Sequence, residues 1–492
     1  MERRGDRPAY RTSRARAGSS GGRRRAGRPG VPRGRRAAAR GDRRIRPVRH
    51  GGRPRSRQQG RQQGRQQGRQ RPRQRGRQRR RGCRGIAPHA RAGGRPPEGS
   101  PVTTLSSSFR LADSVAERLL RLTAAERHKV GFPGWSAAFP QPLVPFLSHE
   151  LNNYGDPESD PVFSWHTKDL ERELVDDLAG LFGACPARPW GHVTNGGSEG
   201  ILYGLWLARR KHPRAKVYHS RTAHPCVARN AGMLRMENVA VAADVRGEMS
   251  YTDLMRRLVA DPNPAAIVVA TIGTTLTEAV DDVRSIRAAL SAAGKRYHLH
   301  ADAAMSGIPL ALHAEGRPVF GLHAQGADSL SISGHKFLGA PFPCGVVMTR
   351  TLPARHPGTS DLLCGASDSF ASSRNGHAAL ILWYLLKERG ISGLRELAQA
   401  GRATAEYAQR RLVSAGWPAW RAHRHARTVV FPAPPRAVLE TWALPVVRGV
   451  SHIVCTPGVS RSRVDRFVAA VGAAIPEPIK DGQPWTTPSR AV

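Results

Sequence analysis

The stretch SISGHKFLG occupies residues 331–339 and places one lysine, Lys336, between an apolar run and a turn rich in glycine and proline. A second β-type run, residues 345–349, follows the turn. A lysine enclosed in this way is desolvated, and desolvation lowers the pKa of an ammonium group. A neutral amine can attack a carbonyl carbon and form a Schiff base. A lysine at a strand end can also extend its charge into solvent without a chemical role, so the surrounding residues must decide between the two interpretations.

On both sides of Lys336, β-type runs alternate with helical patterns. Helices are predicted near residues 198–211, 225–235, 250–260 and 281–293, after an amphipathic helix that begins after Thr167 as N-cap and ends at Gly183. The predicted strands are Lys216–His219, Val239–Ala242, Ala266–Thr271, His298–Ala301, Ser329–Ile332 and Gly345–Thr349. This alternation is typical of an α/β fold, a mostly parallel sheet with helices on both faces. Ligands of such sheets bind at the carboxyl ends of the strands.

After about residue 355 the pattern changes to helices at 376–389 and 393–415, β-type runs at 428–431 and 450–454, and a helix at 460–471. We interpret this part as a smaller C-terminal α+β domain. The predicted organisation is an Arg-rich extension at 1–100, a segment at 101–165 laid over the active site or a partner subunit, a large domain at 166–355, a small domain at 356–475 and a tail at 476–492.

The first hundred residues differ from the rest in charge. They hold 34 arginines, no lysine and four acidic residues, a net +30, whereas the other 392 residues carry 44 basic and 33 acidic groups, a net +11. With so few apolar residues this Arg-rich extension is expected to be disordered. Two interpretations stay open: a tail that binds nucleic acid through phosphates, or an incidental extension of the reading frame.

Cysteine usage and hydropathy bear on the compartment. The six cysteines have no metal-ligand or redox spacing, and no apolar run reaches the ~18 residues that span a bilayer. We expect a cytoplasmic protein without membrane contact.

Four further motifs lie at predicted strand ends. The run TNGGSEG, residues 194–200, opens a helix, and the exposed N–H groups and dipole of a helix start favour phosphate. His224 and the pair Thr274-Thr275 each follow a strand. Asp302 ends a strand and is followed by two small residues that leave room for a flat ring. Because His298, His300 and Asp302 alternate along that strand, a metal site is an alternative, although hydrogen-bonded packing of the histidines is the interpretation we favour.

In this order, the motifs resemble the pyridoxal-phosphate-dependent group II amino acid decarboxylases, and among them the bacterial histidine decarboxylases and the plant serine decarboxylases. The resemblance covers roughly residues 130 to 475 and none of the Arg-rich extension. The matching motifs are VTNGGSEG at 193–200, His224, IGTT at 272–275, HADAA at 300–304, SGHK at 333–336, PCG at 343–345 and SRNGH at 373–377.

The resemblance implies a fold-type I structure whose large domain holds a seven-stranded sheet, and it implies roles for single residues. Lys336 would bind pyridoxal 5'-phosphate as a Schiff base, and Asp302 would pair with the pyridinium nitrogen and make the ring an electron sink. His224 would stack on the ring and contact the substrate. The other implied cofactor contacts, with no metal among them, are Gly197, Ser198, Thr274, Ala304, Ser333 and His335.

The implied reaction is decarboxylation of an amino acid by a homodimer, with histidine and its product histamine as first choice. Residues 135–139 and 361–365 depart from the histidine-specific pattern, so serine, valine and methionine stay open as substrates. A lyase or desulfurase on the same scaffold, and a degenerate enzyme that binds nucleic acid through the Arg-rich extension, are further alternatives.

Overall fold

A computed structural model describes residues 108–132, 134–159, 163–184, 189–353 and 369–473. The chain separates into two units, Met1–Pro96 and Pro97–Val492, and every described residue lies in the second. The Arg-rich extension, the tail after residue 475 and the loop 361–365 therefore lie outside the described residues. The predicted domain boundaries stay predictions.

The larger of two sheets has seven strands, as predicted. They are β1 (Trp190–Thr194), β2 (Lys216–Ser220), β3 (Asn238–Val241), β4 (Ala265–Thr271), β5 (Arg296–Asp302), β6 (Ser329–Ser333) and β7 (Gly345–Thr349). Their spatial order is β1-β7-β6-β5-β4-β2-β3. Only β7 runs antiparallel to its neighbours, so β1 and β6 point the same way as the other strands. The α/β prediction is confirmed.

Helices cover both faces of this sheet. One face carries α3 (Gly197–Lys211) and α4 (Cys226–Met233), and the other carries α2 (Lys168–Leu181), α5 (Tyr251–Ala260), α6 (Val283–Ala292), α7 (Gly307–His313) and the first part of α8 (Gly376–Ser414). All seven residues of β4 are buried. Ile267 and Val269 pack toward α3 and α4, whereas Val268 and Ala270 pack toward α5 and α6. This alternation follows from the period of two along a strand.

A smaller sheet of three antiparallel strands packs with helices that lie near it in the C-terminal part of the described residues. It consists of β8 (Thr428–Pro432), β9 (Val446–Val447) and β10 (Val450–Val454), and it packs with α9 (Arg436–Thr441), α10 (Arg461–Gly472) and the second part of α8. The predicted break in α8 is present at Gly390, whose φ of 59° and ψ of 179° are not helical. Thus one long helix contributes to both hydrophobic cores.

The region before the large sheet contains α1 (Ser108–Glu126) and a 3-10 helix, Gln141–Ser148. The amphipathic helix predicted before Gly183 is α2, and Gly183 follows it with a φ of 71°. Thr167 occupies the N-cap position of this helix, as predicted, but its hydroxyl makes no cap bond and donates instead to the carbonyl oxygen of Gly376 over 2.8 Å. No helix in the described ranges is long and apolar enough to cross a membrane.

Candidate active site

The predicted site residues meet at one edge of the large sheet. Lys336 lies in a single π-helical turn, Gly334–Leu338, that continues directly from the end of β6. Asp302 is the last residue of the neighbouring strand β5, and its partner in the register is Ser331. His224 lies just beyond the end of β2. Since these strands are parallel, their carboxyl ends bring the three side chains into one region.

Lys336 lies where its amine is favoured over its ammonium form. Burial lowers the pKa of Lys336, the Asp302 carboxylate and Cys226 oppose this shift, and the Arg427 guanidinium adds to it. An amine with a lowered pKa is a nucleophile at neutral pH.

Asp302 and His224 are the titratable groups that interact with Lys336 at this edge of the sheet. Burial raises the pKa of Asp302, whereas Lys336, the N–H of Ala304 and His224 oppose the shift; the N–H donates to Oδ1 over 3.2 Å. Burial also lowers the pKa of His224, with Asp302 opposing and Lys336 adding to the effect. The Nδ1 atom of His224 accepts the N–H of Cys226 at 3.2 Å, which leaves the proton of the neutral ring on Nε2.

The start of α3 meets the ends of β5 and β6. A Cβ atom at Gly197 would lie 2.7 Å from the Ser333 hydroxyl oxygen and 3.0 Å from the Ala304 Cβ, so the structure brings these three predicted residues together. Only glycine leaves this space open. Ser198 follows in the first turn of the 15-residue helix, where backbone N–H groups and the helix dipole attract anions.

His335 and Thr274 are bound to their own loops. The Nδ1 atom of His335 lies 3.0 Å from the carbonyl oxygen and 3.2 Å from the nitrogen of Cys344, which fixes the ring against the start of β7. The Thr274 hydroxyl accepts the N–H of Ala279 at 3.0 Å and contacts the Thr277 hydroxyl at 2.8 Å. Thr274 thus shapes the loop after β4, whereas its predicted contact with a cofactor stays a prediction.

Hydrogen bonds hold the two histidines of β5 and the arginine of the SRNGH motif. His298 and His300 both bond the Ser329 hydroxyl at 2.8 Å, and the described residues contain no cluster of metal-ligating side chains. The histidines are therefore packed and hydrogen-bonded. Arg374 is a structural anchor, since its buried guanidinium pairs with Glu171 and donates to the carbonyl oxygen of Gly155 over 3.2 Å.

Several residues near the lysine turn were not predicted from the sequence. The indole N–H of Trp135 donates to the carbonyl oxygen of Phe337 over 3.0 Å, and the Arg427 guanidinium lies 5.3 Å from the centre of the Phe337 ring. Trp135 and Arg427 are about 200 and 90 residues from Phe337 in the chain. No local pattern links them, so only the folded structure reveals these contacts.

The comparisons with known proteins agree with this geometry. The pattern described as the pyridoxal-dependent decarboxylase conserved domain matches residues 152–433. The chain belongs to the pyridoxal-dependent decarboxylases. It is a carboxy-lyase, and pyridoxal phosphate is its cofactor. The prediction of the family is confirmed.

Relatives of the decarboxylase carry different substrate names. The histidine decarboxylase of Mesorhizobium japonicum is 38% identical over 333 residues, which cover 67% of this chain and 89% of the relative. The serine decarboxylase 2 of Oryza sativa is 36% identical over 331 residues, covering 66% and 70%. The L-methionine decarboxylase of Streptomyces sp. 590 shares the fold with a TM-score of 0.64 at 23% identity, over 74% of this chain and 95% of that structure.

The residues present fit pyridoxal phosphate. The space at Gly197 beside Ser333 and Ala304 lies at a helix N-terminus, which is suited to the phosphate group. A partly buried amine and a buried carboxylate influence each other's charge at the same sheet edge. This set matches the aldehyde, the phosphate and the ring nitrogen of the cofactor.

Proposed function

We propose that this decarboxylase converts L-histidine to histamine and CO₂. The observation that carries the proposal is the 38% identity to a histidine decarboxylase over 89% of that relative. Other histidine decarboxylases, from Morganella morganii and Solanum lycopersicum, are 35% and 33% identical. Serine is the second candidate substrate, because the rice relative is only two percentage points less identical than the first.

In this proposal each side chain of the site has a defined task. Lys336, as a neutral amine, would hold the cofactor through its aldehyde group. Gly197, Ser198, Ser333 and His335 would hold the phosphate. When bound, pyridoxal phosphate supplies a ring that accepts the electron pair left by the departing carboxylate.

The charges of Asp302 and His224 support that chemistry. When the cofactor is bound, the Asp302 carboxylate would pair with the ring nitrogen and hold a proton there. His224, half-buried and with a lowered pKa, would offer a flat face to the ring and a polar edge to the substrate. Because Asp302 is buried, its charge acts at a lower dielectric than in solvent and its effect is larger.

Amino acid specificity of CO₂ release tests the proposed substrate. We expect the purified full chain to release CO₂ from histidine faster than from serine, methionine or valine, with histamine as the product. Lys336→Ala should abolish release, and Lys387→Ala, a lysine in exposed ion pairs with Glu173 and Asp177, is the matched control. Faster release from serine would overturn the assignment of histidine and leave the decarboxylase family unaffected.

We further propose a homodimer, which is supported by an exposed apolar face on α1. Leu111, Val115, Leu119 and Leu122 follow one another at helical spacing and are 59% to 65% exposed. Such a stripe on a monomer is typical of an interface. Leu119→Glu should halve the mass measured by light scattering, whereas Arg118→Glu on the same helix should leave it unchanged; an unchanged dimer in Leu119→Glu would contradict this interface.

The proposed location is the cytoplasm. The described cysteines, Cys226, Cys344 and Cys455, are free and buried. Unpaired thiols of this kind are typical of a reducing compartment.

A further inference from the structure

Glu278 adopts a backbone conformation that disfavours its side chain. It lies in the loop between β4 and α6, its φ is 63°, and it is 1% exposed. Residues other than glycine enter this left-handed region at an energetic cost and persist there when the surroundings hold them. A buried carboxylate is also costly unless it is paired and hydrogen-bonded. Strong contacts must therefore hold Glu278 in place.

The carboxylate of Glu278 accepts hydrogen bonds from the start of β8 and from Ser306, which follows β5. Its Oε2 atom accepts the N–H groups of Arg427 and Thr428 and the Thr428 hydroxyl, each at 2.8 Å. Its Oε1 atom accepts the Ser306 hydroxyl at 2.7 Å and the Arg427 guanidinium at 3.2 Å. Burial alone would raise the pKa of Glu278. The charge of Arg427 and these hydrogen bonds outweigh the effect of burial and keep the pKa below its usual value.

Arg427 carries this connection to the lysine turn. Its guanidinium, paired with Glu278, also donates to the carbonyl oxygen of Met305 over 2.9 Å and lies 5.3 Å from the centre of the Phe337 ring. Phe337 is the residue after Lys336, and Met305 lies three residues after Asp302. One ion pair therefore contacts both segments that carry the central charges of the site. Glu278 lies three residues after the IGTT motif but is not part of it, and Arg427 belongs to no motif recognised in the sequence.

We propose that Glu278 is a positioning residue for Lys336, which it holds in place by fixing the Arg427 guanidinium against Phe337. The carboxylate also neutralises the cation that this arrangement brings near the lysine. The inference rests on the proposed role of Lys336 and is independent of which amino acid is the substrate. It assigns the start of β8 a role in the site of the large sheet.

The charges around Lys336 give this inference a measurable consequence. The groups that act on the lysine are Asp302 from β5, Cys226 from α4, Arg427 from the start of β8, and the neighbouring His224 and His335. Glu278→Gln leaves the Arg427 cation without its counter-charge, which lowers the pKa of Lys336 further. Arg427→Gln removes that cation and raises the pKa of Lys336. A merely structural role would move both variants in the same direction or in neither.

The experiment measures the Lys336 amine in the full chain after removal of the cofactor. Reductive methylation with formaldehyde is followed across pH, and the modified fraction of the Lys336 peptide is quantified by mass spectrometry. We expect the midpoint to move down in Glu278→Gln and up in Arg427→Gln, each by at least about half a pH unit. The double variant, which lacks both charges, should return toward the wild-type midpoint. In the enzyme with its cofactor, we expect kcat of both single variants to fall roughly tenfold at nearly constant KM.

Controls and outcomes are defined as follows. Glu406→Gln, in the half-exposed pair Arg402–Glu406 on α8, should leave both the midpoint and kcat unchanged. If Glu278→Gln is recovered unfolded, Arg427→Gln decides alone, and a wild-type midpoint in that variant overturns the proposal. Shifts of the two single variants in one direction overturn it as well. Failure of the proposed substrate assignment would leave these midpoints unaffected, since no substrate enters the methylation measurement.

Discussion

Asp302 is the residue whose charge the proposed chemistry needs most. It is buried beside Lys336, and Ala304 and His224 are its other polar neighbours. Asp302→Ala should lower kcat at least about a hundredfold, because the ring nitrogen would lose the anion that holds its proton. Steady-state CO₂ release measures this loss. The control is Asp465→Asn on α10, an aspartate in an exposed ion pair with Arg411 of α8, and this variant should keep wild-type turnover. Turnover near the wild-type value in Asp302→Ala would remove Asp302 from the mechanism.

Asp281 gives the folded chain a pH-dependent stability. Burial raises its pKa to about 7 from 3.8, against the N–H groups of Thr271 and Met249, which donate to its carboxylate over 2.8 and 2.9 Å. Between these two values the folded state holds a proton that the unfolded chain has released. Stability contributed by this group is therefore present below pH 3.8 and is lost as the pH rises toward about 7.

The variant Asp281→Asn isolates this effect. The amide of the variant has one acceptor oxygen and cannot accept both N–H groups, so one hydrogen bond is lost. The resulting loss of stability does not depend on pH. We expect the melting temperature of the wild type, measured relative to the variant, to fall as the pH rises from about 4 to about 7. A constant difference across that range would contradict the raised pKa.

Among single residues, those at strand ends can be predicted from the sequence as members of the site, since parallel strands bring their carboxyl ends to one edge. Lys336, Asp302 and His224 belong to that class. Glu278 and Arg427 do not, because 149 residues separate them and neither is part of a motif. Their pairing depends on how the small sheet packs on the loop after β4.

Among the elements, α3 depends on glycine for its approach to the sheet. A Cβ atom at Gly204 would lie 2.3 Å from Nδ1 of His300, and that ring is fixed by the Ser329 and Ser331 hydroxyls. Gly204→Ala should lower the free energy of unfolding by about 1–3 kcal/mol. Gly180→Ala in α2, where a Cβ would meet no atom within 4 Å, should raise it by about 0.5–1 kcal/mol. Urea unfolding of both variants measures the difference, and equal effects would contradict the close packing of α3.

Elements with a strong hydrophobic pattern were predicted from the sequence, and some short elements were not. The apolar run of β4 and the amphipathic pattern of α2 were predicted and are present. The five-residue strand β1, which includes a glycine and a histidine, and the seven-residue helix α7 were not predicted. The strand β7 has the same length as β1 but a more apolar run, and it was predicted. The apolar residues of α1 recur at helical spacing, but periodicity alone does not indicate that the face they form is exposed.

On the scale of the whole molecule, the direction of β7 in the sheet could not be predicted from the sequence. The alternation of strands and helices indicates a parallel sheet, yet β7 is antiparallel to both of its neighbours. The reason is the short connection from β6, which consists of the lysine turn and a proline-containing loop rather than a crossover helix. This reversal lets the turn that carries Lys336 remain tight and buried between two strands.

The Arg-rich extension lies before the part of the chain that the family pattern matches, which begins at residue 152. Every residue proposed to contact the cofactor or the substrate lies between 197 and 336. We therefore expect residues 101–492 to decarboxylate at the same kcat and KM as the full chain. A lower kcat in the shortened chain would contradict this and would tie the extension to the catalytic unit.

Binding to a random-sequence DNA duplex separates the two interpretations of the extension. If it binds phosphates, the full chain should bind more tightly than residues 101–492, with an affinity that falls steeply with salt. Changing Arg57, Arg61, Arg65 and Arg69 to glutamine should then reduce the slope of log K against log salt by about 0.9 for each arginine that contacts a phosphate. Equal affinity of the long and short chains would favour an incidental extension, and a mass of the protein from its native source that lacks these residues would establish it.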